Sequence, residues 1–201
     1  MLVDPKNTAV LFVECQNGLL GEQSVMKAIA DAAGVQKQVM GRLARGARAA
    51  GALVVHLTYV PVANNRSSNR KAPLMAKLLG KLGDWNPTHP AVQPIPEIGV
   101  GPNDLILPRN TGFSPTHGTE TFKLLRNLGI TQVVLAGISL NVALPVVGTE
   151  ATDEGFTVVF PRDAVVGTPP EYAEAVIQYT LPFIGGIATV DEILSAWGVE
   201  A

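Results

Sequence analysis

Between residues 8 and 14 the sequence TAVLFVE is almost continuously apolar, with no polar alternation. A strand with one wet face alternates apolar and polar side chains, so an unbroken run marks a central parallel strand covered on both faces. Comparable runs recur as ALVVHLTY at 52–59, DLILP at 104–108, TQVVLAG at 131–137, FTVVF at 156–160 and, more weakly, GIATV at 186–190. The segments between them are mostly helical in period. Residues 24–50 carry Met26, Ile29, Ala32, Val35, Val39, Leu43 and Ala47 at spacings of three and four, and 119–128 follows a Thr119 cap. Residues 142–154, 169–182 and 191–197 read as further helices, the second opening with Pro169-Pro170. The expected fold is α/β: a three-layer sandwich with a Rossmann-like topology. Its parallel sheet of five to six strands carries helices on both faces, joined by right-handed crossovers.

Composition bounds what such a sheet can serve. The chain has 201 residues, 47% hydrophobic and 16% charged, and a formal net charge of −2. One domain spanning residues 1–201 can bury roughly 70% of its unfolded surface. No Lys/Arg run exceeds Arg70-Lys71, so nucleic acid is not an expected partner. The single cysteine, Cys15, forbids an intrachain disulfide and any multi-cysteine zinc site. No apolar run approaches the ~18 residues of a membrane span, and the opening MLVDPKN lacks a signal-peptide pattern. The expectation is a cytoplasmic protein that meets no membrane. With a mean hydropathy of +0.25, the chain is also expected to hide apolar surface in a homo-oligomer.

Open α/β sheets bind ligands beyond the carboxyl ends of their strands, and polar residues gather there. Glu14 ends the first run, Arg109 follows DLILP, the GISLN turn (137–141) follows TQVVLA, and Arg162-Asp163 follow FTVVF. A carboxylate beside VLFV is partly desolvated and calls for a cation, which Arg109 can supply. The two are either an acid and a fixed charge sharing a pocket or a structural ion pair. In GISLNVALP, an Asn141 cap would leave the N–H groups of Val142 and Ala143 free to meet an anion at a helix N-terminus. Cys15 is expected on the opposite face from Glu14, as an inert core residue. His56, His89 and His117 lack partners at ligand spacing, so no metal is implied. The polar stretch 60–71 and the proline-rich 84–103 are loops of the kind that cover sites, with Phe113, Trp85 and Tyr59 near the mouth.

The run TAVLFVECQNGLLG resembles the opening strand of the isochorismatase-like hydrolases: an apolar strand, an acid, one residue, then Gln-Asn. The likeness continues from LILPRNTGF through GISLNVALP to FPRDAVVG, in that family's order and spacing. The resemblance implies a triad of Asp, Lys and nucleophilic Cys at the positions of Glu14, Arg109 and Ala143, so all three differ here. Family members that hydrolyse isochorismate also lack the cysteine; an acid protonates an enol ether and water completes the cleavage. The family also implies a cis peptide at Ile138-Ser139 and oxyanion donors from the N–H groups of Ser139 and Ala143. The metal-binding Asp-x-His of its nicotinamidase branch has no counterpart in residues 56–71.

The reading is therefore a cofactor-independent hydrolase of a small metabolite. Glu14 serves as general acid or base, Arg109 holds an anionic group, and Ala143 stands at the vacated nucleophile position. Gln16, Ser139, Asn141 and Phe113 contact substrate or water. The alternatives are a non-catalytic member that binds a small acid or aromatic metabolite, and an amidase with another nucleophile.

Overall fold

A computed structural model describes residues 4–62 and 65–199, so Ala63 and Asn64 of the 60–71 loop and the first three residues of MLVDPKN lie outside the described part. The six apolar runs all form strands: β1 (Thr8–Val13), β2 (Leu53–Tyr59), β3 (Leu105–Arg109), β4 (Gln132–Ile138), β5 (Thr157–Pro161) and β7 (Gly186–Ala188). A seventh, β6 (Val165–Val166), is too short to be seen in the sequence pattern and pairs with the end of β4. The sheet is parallel throughout, in the order β3-β2-β1-β4-β5-β7.

The two-sided burial inferred from TAVLFV is literal, since all six residues of β1 are buried. Val10 and Phe12 join a core with α1 (Asn17–Leu20), α2 (Lys27–Ala32), α3 (Gln36–Ala50), α4 (Pro73–Leu79) and α8 (Val190–Ala196). Ala9, Leu11 and Val13 join the opposite core with α5 (Thr121–Asn127), α6 (Ala143–Asp153) and α7 (Pro170–Tyr179). Alternate side chains of one strand thus feed two separate cores, which makes the three layers.

Several local readings change. The helical period over 24–50 breaks at Ala33–Val35, where Gly34 takes φ 31°, so two helices form and Val35 is 74% exposed instead of buried. Helix α4 was not legible between the two loops; it opens with Pro73 and buries Met75, Leu78 and Leu79. The proline-rich loop is ordered by main-chain bonds to the segment after β1: Asn17 N–H donates to Gln93 O and Ile95 N–H to Cys15 O, flanking a Gln16–Pro94 bridge. Where β4 ends against β1, Gly137 has φ 109°, and a Cβ there would lie 2.4 Å from Val13 O. Only glycine lets the two strand ends close to this distance.

Candidate active site

The carboxyl ends of β1, β2, β3 and β4 meet at one place, because the register sets Tyr59 beside Arg109 and Val13 beside Gly137. Just past β1 the main chain leaves the ladder at Glu14, which adopts φ 55°. A non-glycine residue held in the left-handed region is strained by about 1 kcal/mol and is a common mark of a functional turn. The turn directs Glu14 into a pocket and Cys15 into the core, where Sγ lies 3.5 Å from Val13 O and 3.9 Å from Met40 Sδ. The two side chains separate as expected, but through this turn and not through strand alternation. Burial, reinforced by the nearby Glu14 charge, pushes the Cys15 thiol far up, so it stays protonated and inert.

Arg109 Nη2 lies 2.6 Å from Glu14 Oε1, with the two side chains only 5% and 16% exposed. The guanidinium carbon sits 4.6 Å from the centre of the Tyr59 ring, a cation–π contact. Arg109 Nε and Nη1 are buried without any hydrogen-bond partner. The Tyr59 hydroxyl bonds Ser68 Oγ in the 60–71 loop. Burial pushes the Tyr59 phenol up, against the Ser68 bond and the Arg109 charge, which pull it down.

Opposite this pair lies the turn between β4 and α6, with a cis Ile138-Ser139 peptide. It is closed by Leu140 N–H to Val166 O and by Val142 and Leu144 N–H to Ser139 O. Among the described residues no main-chain bond uses the N–H of Ser139 or of Ala143, the first residue of α6. Both residues line the pocket together with Glu14 and Arg109, which places the N-terminus of α6 on its wall. The remaining wall is apolar: Leu19, Met26, three residues of α4 (Leu74, Met75, Leu78) and Phe113. The pocket is partly open and its cavity is small, about 30 Å³. Wider clefts of about 500 Å³ beside Arg48 and about 800 Å³ beside Trp85 hold no buried polar side-chain atom without a partner among the described residues.

Two expected site residues have other employment. Gln16 is fully buried: Nε2 donates to Tyr59 O at 3.0 Å and to Val92 O at 3.2 Å, and Oε1 accepts from Tyr59 N–H at 2.7 Å. It cannot also orient water. Asn141 does not cap α6, whose cap is Val142; its amide clasps the main chain of Thr168, accepting from N–H and donating to O. Glu14, Arg109, Ser139, Phe113 and Ala143 do come together. Sequence reasoning did not find the α4 wall, and it placed Tyr59 only near the mouth. Tyr59 ends its apolar run as Glu14 and Arg109 follow theirs, so the same strand-end rule applies to it. No group of three or more His, Cys, Asp or Glu among the described residues is placed to hold a metal.

A model of the isochorismatase domain matches residues 8–192. The chain belongs to the isochorismatase family. An isochorismatase family protein from Escherichia coli O157:H7, YecD, is 29% identical over 201 residues, covering 96% of this chain and 98% of YecD. The ureidoacrylate amidohydrolase RutB of Pantoea ananatis is 26% identical over 217 residues, covering 98% and 84%. In fold, the isochorismatase-family chain is similar to a cysteine hydrolase from Pseudomonas syringae, with TM-score 0.82 and 18% identity over 98% of this chain and 94% of that one. It is also similar to an isochorismatase family protein from Burkholderia thailandensis, with TM-score 0.80 and 22% identity over 98% of both.

Proposed function

We propose that this isochorismatase-family protein hydrolyses a small anionic metabolite by acid/base chemistry at Glu14, without a cysteine nucleophile. The observation that carries this reading is the company Glu14 keeps. It shares a small pocket with a buried cation, while Ala143 offers only a methyl group and the chain's one cysteine is turned into the core. Glu14 gives a proton to the leaving atom, water adds its oxygen to the other fragment, and the proton water sheds returns to Glu14. The carboxyl ends as it began, and no cofactor enters the balance. The N–H groups of Ser139 and Ala143 face charge that develops on the substrate, and Arg109 holds its anionic group.

A screen of enol ethers, amides and esters tests the reading. Glu14→Gln should lower turnover of any substrate found by at least about 100-fold. Unchanged turnover overturns the mechanism. The amidohydrolase reading suggested by RutB requires another nucleophile, and Ser139 and Tyr59 are the hydroxyl-bearing side chains on the described pocket wall. Loss of amide cleavage in Ser139→Ala, with Glu14→Gln active, would favour it. The binding-only reading draws support from the ion pair itself, which already occupies one oxygen of Glu14. Ligand-induced thermal stabilisation with no turnover across the screen would favour that one.

A further inference from the structure

We propose that the unclaimed face of Arg109 is a carboxylate subsite and that filling it brings a proton onto Glu14, so the ligand itself loads the acid. The proposal rests on the acid/base reading above and deepens it. A guanidinium carries five N–H donors, and buried ones are ordinarily all used. Here Glu14 takes Nη2, while Nε and Nη1 are buried with nothing to bond. Arg109 lines a pocket whose other walls are mainly hydrocarbon; its two idle nitrogens lie covered behind that wall, and a planar two-oxygen anion that displaces the cover pairs either of them with the second N–H of Nη2, beside Glu14. The cavity of about 30 Å³ exceeds what one water requires and suits an acid of two or three carbons, or the carboxylate end of a longer one.

The charge balance supplies the second half. At rest the pocket holds one carboxylate and one guanidinium, so it is neutral. An entering carboxylate leaves two anions on one cation whose side chain is only 5% exposed. Two carboxyl groups that close cannot both stay ionised, and the pair takes up one proton from solvent. The groups facing Glu14 are Arg109 from β3, Tyr59 from β2 and Cys15 next in the chain, with Arg70 acting on Tyr59 from the loop. A guanidinium offers no site for a further proton, and Tyr59 and Cys15 are both held protonated by burial, so none of them takes up the proton between pH 6 and 8.

Acetate and propionate serve as probes, with acetamide and propionamide as neutral shapes, their binding to the whole protein followed by NMR at pH 6, 7 and 8. Carboxylate affinity should fall by up to about tenfold for each unit rise in pH, the slope of one proton taken up, and amide affinity should stay flat. In Glu14→Gln the carboxylate slope should vanish. Carboxylate binding in the wild type that ignores pH overturns the proton coupling, and failure of both acids to bind overturns the subsite. Neither result depends on a variant folding. The slope is read without turnover, so its failure is told apart from a failure of the hydrolase reading in the substrate screen.

Discussion

The sheet has an arginine–carboxylate pair at each end, one around the buried carboxylate of Asp104 and one around the buried guanidinium of Arg109, and they are built on opposite terms. At the amino end, Arg48 from α3 grips Asp104 with two bonds, Nε to Oδ1 at 3.1 Å and Nη2 to Oδ2 at 2.7 Å. Nη1 reaches Ile98 O and Nη2 also reaches Gly99 O, so every nitrogen of the guanidinium is engaged. Asp104 Oδ2 also accepts from Gly101 N–H and meets His56 Nε2 at 2.9 Å. Desolvation acts to raise the Asp104 carboxyl, but Arg48, the Gly101 N–H and His56 outweigh it and hold the group below the usual carboxylate range. At the carboxyl end, Arg109 makes one ionic contact and leaves two nitrogens idle. The lesson is that burial of a charge does not by itself indicate its purpose; the count of satisfied donors does. A guanidinium with every nitrogen engaged is a fastening, and one with idle nitrogens beside a pocket is a place for something else.

The sharpest way to break this comparison is Asp104→Ala, which strands Arg48 and His56 together. It should lower stability by about 3 kcal/mol, read from the urea midpoint, because the uncompensated cation is only 26% exposed. A loss under about 1 kcal/mol would mean that the amino-end cluster is no fastening.

The next effect is one of pH. Burial pushes the His56 imidazole down from its usual value near 6.5, with the Asp104 bond resisting. As pH falls below about 6.5 the unfolded chain therefore takes the proton first, and the stability present above that pH is lost at up to about 1.4 kcal/mol per unit. The loss continues until the lowered folded value is reached. Thermal melts from pH 7 to 5.5 should show this slope, and His56→Gln should flatten it. The Asp104 contribution, with its folded value also lowered, is retained over that range and fades only in stronger acid. A wild-type melting temperature that does not change with pH would remove His56 from the cluster's account.

The smallest effect belongs to the other end. The double variant Glu14→Gln/Arg109→Met should change stability by no more than about 1 kcal/mol, and in the stabilising direction if at all. Calorimetry that finds it as damaging as Asp104→Ala would make the Glu14–Arg109 pair structural, and the two ends alike.

Much of the fold was legible because burial on both faces writes itself into composition: VLFV, LVVHL and QVVLAG admit no other easy home. The strand-end rule found Glu14 and Arg109 for the same reason, since a charge that closes an apolar run has to be dealt with. What stayed hidden depends on main-chain partners distant in sequence. Gln16 and Asn141 look like ligand-binding amides until Tyr59 O, Val92 O and Thr168 are seen to consume them. The Arg48–Asp104–His56 cluster joins three segments with no shared motif, and the phase shift at Gly34 shows only as a single glycine. Helix α4 lies between two stretches read as loops, and no side chain caps its start.

Gln16 bonds only to main-chain atoms of its partners, and this separates the site's frame from its furnishings. The β1 exit, the end of β2 and the proline-rich segment are held together by one amide that reads no side chain. Residues 59 and 92 can therefore be exchanged without loosening that particular clasp, whereas position 16 can hardly change at all. A chain built this way can try out new pocket linings one substitution at a time, and so wander between substrates, while keeping the same doorway.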